Sequence, residues 1–306
     1  MEYFILDGGS TDGSVEIIQK YESFLAYWIS QKDEGQSAAI NTGFQMAKGH
    51  YLSWLNSDDV LLPGAIYHVI EKLHADPLLG MAFAQTDVID EKGRKIGVFE
   101  PVDYNFKDLL SMKIILPQQA AFFRKMALES VGFLRTDLDY AMDVDLFIRI
   151  GAKYNILPIS DTLAQFRLSN NNKGVMAKGN WCSEYIKIID NFFSIPEMLL
   201  RYRSLFPFAY GGAYYRGAHT YLEIDQYSQA RLWLNLAAKY NHWYYLKPGW
   251  WKAQFFTLLG KPGQQAVQSI LLRMRKIRLY RNETNWQVGL ANLQSVDQTD
   301  SQKRDW

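Results

Sequence analysis

The stretch "DEGQSAAINTGFQMAKGHYLSWLNSDD", residues 33–59, contains a helical pattern, a helix end and a strand pattern in succession. The helical pattern runs from Ser37 to Lys48, and Gly49 follows in the position that often closes a helix. The segment "YLSWLN" (51–56) then predicts a buried strand, which leads into two adjacent aspartates. Ligands bind at the carboxyl ends of strands in open α/β sheets. The stretch therefore predicts an α/β fold with an acidic site at a strand end.

The same alternation extends upstream. "EYFIL" (2–6) predicts a strand that ends at Asp7, the loop "GGSTDGS" (8–14) leads into a short helix, and "LAYWIS" (25–30) predicts the next strand. The loop contains neither Gly-Lys-Ser/Thr nor GxGxxG, which argues against a phosphate-binding loop. Its Asp, Gly, Ser and Thr residues are also the types that any turn before a helix prefers.

Downstream, Pro63 opens a helix that extends to about His74. Further strands are predicted at 81–90, 95–99, 118–124 and 155–168, with a helix at 142–152. The pair at 81–90 and 95–99 flanks "EKGR" and predicts a β-hairpin. Short apolar runs that alternate with helices indicate a mostly parallel sheet, to which the hairpin adds antiparallel character.

After the turn-rich "SNNNKG" (169–174) the pattern becomes helical and aromatic. Residues 214–241 predict a helix, a turn and a second helix, with small residues where the two would pack. We therefore divide the chain into an α/β domain (1–175), a helical C-terminal region (176–290) and a polar, disordered tail (291–306).

The overall composition excludes several classes of protein. Among 306 residues, 33 Lys and Arg nearly cancel 32 Asp and Glu, so the net charge gives no sign of a nucleic-acid partner. The single cysteine, Cys182, can form no disulfide within the chain, and no apolar run approaches the ~18 to 20 residues of a membrane span. We expect a cytoplasmic protein.

One segment departs from this balance, because residues 246–282 contain eight Lys or Arg and no acidic residue. Aromatic residues are interleaved with these charges, a composition that suits peripheral contact with the inner face of a membrane. The alternative is a helical core whose basic residues face water.

The pair Asp58 and Asp59 is the first candidate for chemistry. Adjacent carboxylates repel each other and are costly in an enclosed site unless a cation neutralises them, and hard oxygen ligands suit Mg²⁺ or Mn²⁺. The alternative is a solvated loop in which Asp59 caps the following helix.

The second candidate is the acidic cluster Asp139, Asp143 and Asp145 at the start of a helix. The helix dipole stabilises any carboxylate at such a position. The functional interpretation of Asp143 is a general base that takes a proton from an attacking hydroxyl. Spacing alone does not choose between these alternatives.

Taken in order, "EYFILDGGSTDGS", the 33–59 stretch, "PQQAAFFRK" and "YAMDVDLFIRI" resemble the motifs of family 2 glycosyltransferases. That family has the GT-A fold, a Rossmann-like α/β fold with a mostly parallel mixed sheet. The resemblance covers roughly residues 2–168 and implies an inverting transfer of a sugar from a nucleotide-sugar donor to a glycan or lipid-linked acceptor. It also suggests a role in cell-surface polysaccharide or glycolipid synthesis.

The resemblance assigns a role to each candidate residue of the donor site. Asp7 contacts the nucleotide base, and Asp33 helps to bind the nucleoside. The SDD segment corresponds to the family's DXD motif, in which Asp59 holds the divalent metal, Mn²⁺ or Mg²⁺, and Asp58 faces the donor ribose or sugar.

Three further residues are assigned in the same way. Asp143 occupies the position of the catalytic base, while Gln118 and Arg167 fall in segments next to the substrate site. The family pattern also has a strand and a helix before the part that matches "EYFIL", and the resemblance implies that this chain lacks both. The missing strand favours a first alternative, a non-catalytic GT-A binding or scaffold protein. A second alternative is a nucleotidyltransferase, which also uses paired carboxylates on an α/β sheet, although its usual glycine-rich loop is absent from the sequence.

Overall fold

The computed structural model describes residues 1–99, 103–169 and 179–260, together with the single positions 172, 173, 177 and 263. An α/β part is followed by a helical part, as predicted. The strands are β1 (Phe4–Asp7), β2 (Tyr27–Ser30), β3 (Tyr51–Leu52), β4 (Val60–Leu61), β5 (Leu79–Ile89), β6 (Lys95–Phe99), β7 (Phe122–Arg124) and β8 (Asn155–Arg167). The helices of the α/β part are α1 (Ser14–Lys20), α2 (Gln36–Met46), α3 (Ala65–Ala75), α4 (Phe106–Leu110), α5 (Lys125–Val131) and α6 (Met142–Gly151). The helical part contains α7 (Trp181–Ser194), α8 (Pro196–Tyr202), α9 (Phe206–Glu223), α10 (Tyr227–Tyr240) and α11 (residues 248–260).

The strands form two sheets. Strands β1 and β2 pair in parallel, with Phe4 opposite Tyr27, and form a sheet of their own. The other sheet has the order β3-β7-β5-β8-β4, and β6 pairs with β5 as the predicted hairpin. The sheet is mixed, as predicted, but of the six pairings that the described residues form, four are antiparallel.

The free edges of β1 and β3 face a common cavity. Strand β1 is hydrogen-bonded only to β2, and β3 only to β7, in the part of the chain that the structure describes. Phe4, Leu6 and Leu52 all line the cavity between the two edges. The α/β part therefore has an apolar opening between its two sheets.

The larger sheet is covered on both faces. On β5, Met81 and Phe83 join one hydrophobic cluster, while Ala82 and Ala84 join another with Val69 of α3. Successive residues of a strand point to opposite faces, so this alternation places α3 on one side and helices α2, α4, α5 and α6 on the other. Amphipathic α6 buries Phe147 in the same cluster as Phe83.

Three predicted boundaries are corrected by the structure. Helix α2 ends at Met46, before Gly49, because Ala47 already has an extended backbone. The strand predicted at 51–56 is reduced to β3, after which the Ser53 hydroxyl bonds the carbonyl of Ala121 at 2.8 Å. The strand predicted at 118–124 begins only at 122, because the amide of Ala121 closes a turn onto the carbonyl of Gln118.

The helical part packs directly on the α/β part. Ile188, Ile189 and Phe192 of α7 belong to the same buried cluster as Phe83 and Phe147. The predicted division near residue 175 therefore separates two regions of secondary structure that share one hydrophobic core.

Helix α9 packs tightly against the α/β part. A Cβ atom at Gly212 would lie 1.9 Å from the carbonyl oxygen of Ser111, at the end of α4. On its other side α9 packs on α10 as the predicted hairpin, where a Cβ at Gly217 would meet the ring of Trp233 at 2.3 Å. Only glycine permits both contacts without a shift of the backbone or the indole.

No helix within the described ranges is both long enough and apolar enough to cross a membrane. The predicted basic block (246–282) is described only through residue 260 and at 263. The predicted tail (291–306) lies outside the described residues.

Candidate active site

The predicted site residues meet at one cavity of about 2670 Å³. Six of them line it: Asp7, Asp33, Asp58, Asp59, Gln118 and Asp143. Arg167 does not line it, although its neighbours Phe166 and Leu168 do. The cavity exceeds the ~300 to 1,000 Å³ of an ordinary small-molecule site because it continues into the apolar opening between β1 and β3.

Asp7 organises the loop that follows β1. Its carboxylate accepts hydrogen bonds from the amides of Gly9 and Ser10, from the Ser10 hydroxyl at 2.5 Å and from the Ser30 hydroxyl at 2.6 Å. The side-chain bonds from Ser10 and then Ser30 lower the pKa of Asp7 to about 2. Asp7 is thus a fully charged carboxylate at the cavity wall whose oxygens already have donors.

Asp33 lies beside this loop. A Cβ added at Gly8 would be 3.2 Å from its Oδ2, while its Oδ1 accepts the amide of Gly35 at 2.9 Å, just before α2. The parallel pairing of β1 with β2 brings the loops after both strands together. Asp7 and Asp33 therefore share one corner of the cavity, as the sequence predicted from two separate motifs.

Asp59 is a buried carboxylate whose donors, within the described part of the chain, are all neutral. The side chain is 7% exposed; Oδ1 accepts the amide of Arg167 at 3.0 Å, and Oδ2 accepts the side-chain amides of Gln119 and Asn56, each at 3.2 Å. Burial, followed by repulsion from Asp58, raises its pKa. Asp59 is buried and does not cap α3, whose N-cap is Gly64 without a side-chain bond, so the alternative of a solvated, capping loop is wrong.

Asp58 and Arg167 support this corner from outside. Asp58 is exposed, and its Oδ2 accepts the side-chain amide of Asn172 at 2.9 Å. The guanidinium of Arg167 donates to the carbonyls of Asp58 and Asp90 at 3.0 and 3.2 Å. The charge of Arg167 is thus directed to backbone carbonyls, and its main-chain amide is the part that contacts Asp59.

Gln118 connects two segments of the cavity wall. It is 6% exposed, donates to the carbonyl of Trp54 at 2.7 Å and accepts the side-chain amide of Asn56 at 3.3 Å. The adjacent Gln119 donates to Asp59 instead. The resemblance identified Gln118, but Gln119 is the glutamine in direct contact with the candidate metal carboxylate.

Asp143 lies on the first turn of α6 with little compensation for its charge. Its Oδ1 accepts the amide of Val144 at 2.8 Å. Burial raises the pKa of Asp143 to about 6, and the negative charge of Glu184 adds to the rise. A carboxyl group with a pKa near neutrality can take and release a proton at physiological pH.

The structure separates Asp143 from its acidic neighbours. Asp145 is 3% exposed and forms ion pairs with Arg149 at 2.7 Å and Arg135 at 3.7 Å. Asp139 is exposed to solvent. Within the described residues, neither Asp143 nor Asp59 forms a salt bridge. Of the three aspartates, Asp143 is the one that is partly buried and forms no ion pair within the described residues.

Glu184 is an important site residue that the sequence did not reveal. From α7, its carboxylate accepts the main-chain amides of Asp139, Tyr140 and Ala141 at 2.7, 2.9 and 2.8 Å. These amides immediately precede α6, whose N-cap has no side-chain bond of its own. A carboxylate from the helical part therefore fixes the backbone that carries Asp143.

The helical part also contributes to the wall of the cavity. Trp181 of α7 and Arg216, Thr220 and Glu223 of α9 line it together with Asp143. No motif pointed to these residues, since they are distant from the motifs along the chain.

The oxygen atoms at Asp59 suit a divalent metal ion whose remaining ligands come from a bound substrate. No cluster of three His, Cys, Asp or Glu residues suited to a metal occurs among the described residues. Asp59 is buried, has no cationic partner among the residues that the structure describes, and follows a second carboxylate at the cavity wall, that of Asp58. A hard cation would relieve this repulsion, and its remaining ligands would be substrate oxygens and water.

Comparison with known proteins confirms the resemblance. Residues 1–131 match the model of the family described as Glycosyl transferase family 2. An uncharacterized glycosyltransferase of Mycobacterium tuberculosis is 27% identical over 171 residues, which cover 54% of this chain and 63% of that protein. Chondroitin synthase of Escherichia coli is 28% identical over 154 residues, which cover 49% of this chain and 22% of the synthase. Over its first 131 residues the chain is therefore similar to family 2 glycosyltransferases.

Two solved structures are similar over most of the chain. The mannosyltransferase PcManGT from Pyrobaculum calidifontis, in complex with GDP-Man and Mn²⁺, has 17% identity and a TM-score of 0.48, over 84% of this chain and 74% of that one. TarS 1-349 of S. aureus, in complex with UDP-GlcNAc, has 13% identity and a TM-score of 0.48, over 80% of this chain and 82% of that one.

Proposed function

We propose that this chain is an inverting glycosyltransferase that transfers a sugar from a nucleotide-sugar donor to an acceptor hydroxyl. The observation that carries the proposal is the placement on one cavity of Asp59, which is buried, and Asp143, which is partly buried, neither of which forms an ion pair within the described residues. The family match over residues 1–131 supports the reaction class. Since the chain spans 63% of the first relative and less of the synthases, the full activity remains part of the proposal.

The donor binds at the corner formed by β1, β2 and the SDD segment. Asp7 and Asp33 hold the nucleoside, and Asp58 and Asp59 face the diphosphate. Mn²⁺ or Mg²⁺ held by Asp59 would supply charge neutralisation to the nucleoside diphosphate as it leaves. The neutral donors Asn56 and Gln119 orient the Asp59 carboxylate, which keeps its negative charge available.

The acceptor binds at the opposite end, against α6 and the helical part. Asp143 takes the proton of the acceptor hydroxyl as that oxygen attacks the anomeric carbon from the side opposite the leaving diphosphate. Because the pKa of Asp143 is raised to about 6, the carboxylate is both ionised at neutral pH and basic enough to accept the proton.

The relatives suggest a setting for this reaction. Two of them carry the names chondroitin synthase and hyaluronan synthase, the latter from Pasteurella multocida with 26% identity over 156 residues. We extend the proposal to a glycan or lipid-linked acceptor and to polysaccharide or glycolipid synthesis on this basis. A cytoplasmic location, expected from the single cysteine, belongs to the same proposal.

Calorimetric titration tests the donor site. UDP and GDP titrated in the presence of Mn²⁺ should bind the wild-type chain, and Asp59→Asn should abolish that binding while the variant stays folded. Asp161→Asn is the matched control, because Asp161 is exposed on β8, where it pairs with His68 at 3.3 Å, and does not line the cavity. No binding of either nucleotide by the wild type would favour the non-catalytic binding protein instead.

A further inference from the structure

Helix α11 has two distinct faces. One face is buried, with Trp250 4% and Ala253 2% exposed. The other carries large apolar side chains that face solvent, with Trp251 58%, Phe255 51% and Leu258 68% exposed. The exposed residues recur at intervals of four and three, so they form a continuous stripe along one side of the helix.

The buried face fixes this stripe in place. The indole of Trp250 donates to the carbonyl of Leu234 in α10 at 2.8 Å. Arg231 donates to the hydroxyl and the carbonyl of Thr257 at 3.0 and 2.9 Å. Helix α11 is therefore held in a defined orientation against α10, and the exposure of its other face follows from that packing.

The 3₁₀ turn His242–Leu246 extends the same apolar surface. Trp243 is 65% and Leu246 72% exposed, and the indole of Trp251 donates to the carbonyl of Tyr245 at 2.8 Å, which joins the turn to the helix. We define the apolar stripe as Trp243, Leu246, Trp251, Phe255 and Leu258. Contiguous exposed apolar surface of this kind marks an interaction site.

The segment that carries the apolar stripe has charges of one sign. Between positions 226 and 282 the sequence has no Asp or Glu. Lys247 and Lys252 flank the stripe and are exposed, and Lys247 lies over the ring of Tyr244 at 4.4 Å. A partner that covers this surface must accept Trp, Phe and Leu side chains and offer negative charge beside them.

We propose that the apolar stripe docks the protein on the surface of an anionic lipid bilayer. Trp, Phe and Leu on a fixed helix enter the boundary between headgroups and acyl chains, while Lys247 and Lys252 meet the lipid phosphates. A second copy of the chain would bring the same basic surface against itself, so charge complementarity favours the bilayer. The surface is separate from the residues that carry the proposed transfer reaction.

Vesicle cosedimentation with the full chain tests this proposal. The wild type should bind vesicles of phosphatidylcholine mixed with phosphatidylglycerol, bind phosphatidylcholine alone much more weakly, and lose binding as the salt concentration rises. Phe255→Glu combined with Leu258→Glu should lower the bound fraction at least about tenfold. Leu200→Glu, at a 75% exposed apolar position on α8, is the matched control and should bind like the wild type.

Circular dichroism and retained nucleotide binding establish that the double variant is folded. Binding that survives in the double variant, or equal binding to neutral vesicles, overturns the proposal. A third outcome also overturns the proposal: the wild type does not bind vesicles but forms a dimer at high concentration, and the double variant stays monomeric. In that case a second copy of the chain covers the apolar stripe.

Discussion

Asp7 and Asp143 face the same cavity, yet their surroundings differ. Asp7 accepts four hydrogen bonds from its own loop and from Ser30, and its pKa falls to about 2. Asp143 accepts a bond from Val144, and burial raises its pKa to about 6. The first carboxylate is stabilised by the fold, whereas the second is destabilised by it. Of the two, the carboxylate whose charge the fold leaves uncompensated is the one suited to proton transfer.

The largest effect should follow removal of the uncompensated carboxylate. Asp143→Asn keeps the shape of the side chain but cannot accept the proton, so the transfer rate should fall about 10²- to 10⁴-fold. Release of nucleoside diphosphate from a nucleotide-sugar with a supplied acceptor measures this rate. Asp139→Asn, at the exposed neighbour, should leave it nearly unchanged. Full activity of Asp143→Asn would show that another group is the base.

A smaller effect should come from Glu184, which acts on Asp143 through the backbone. Glu184→Gln offers one acceptor oxygen in place of two and removes a negative charge, so the start of α6 loosens and the pKa of Asp143 falls. We expect kcat to drop about tenfold, with KM for the donor unchanged. The acidic limb of the pH–rate profile should move to lower pH.

Glu197→Gln provides the control for this charge change, since Glu197 is exposed at the start of α8. A variant with lowered kcat but an unmoved acidic limb would assign Glu184 a purely structural role.

The smallest effects are on stability, and they should have opposite signs. Asp7→Asn should lower the free energy of unfolding at pH 7 by about 1 kcal/mol, because the hydrogen bonds of a charged acceptor are weakened. Asp143→Asn should raise it by about 2 kcal/mol, because the folded state no longer contains a buried charge. Urea unfolding across pH measures both.

The pH dependence of these differences follows from the two pKa values. Asp7 stabilises the fold above its unfolded pKa of 3.8, and that contribution disappears as the pH falls toward 2. Asp143 costs stability above pH 6, and the cost vanishes below 3.8, where the group is protonated in both states. If Asp7→Asn and Asp143→Asn changed the free energy of unfolding in the same direction at pH 7, the contrast between the two carboxylates would be wrong.

Much of the α/β part could be predicted because its signals are local. The strand before Asp7, the β5–β6 hairpin and the amphipathic α6 each depend on residues within one short window. The acidic residues at strand and helix ends were found for the same reason. The length of β3 was not predictable, since a strand is as long as its partner allows, and only two residues of β7 pair with it.

The missed site residues share a different property. Glu184 contacts amides 43 to 45 positions earlier in the chain, and Gln119 contacts Asp59 across 60 positions. Neither belongs to a local pattern, and each takes its role only from the packing of separate elements. Such contacts depend on how distant elements pack on the shared core, and a short sequence motif contains no information on that packing.

The contact between Gly212 and Ser111 limits how this protein can be recombined. The family match ends at residue 131, yet the buried cluster that holds the site continues to Ala213, and a Cβ at position 212 would overlap the carbonyl of Ser111. A chimera that joins the matched domain to the helices of a relative must therefore carry over both surfaces of this contact. The segment that evolution must exchange as a whole therefore extends from the matched domain through α9.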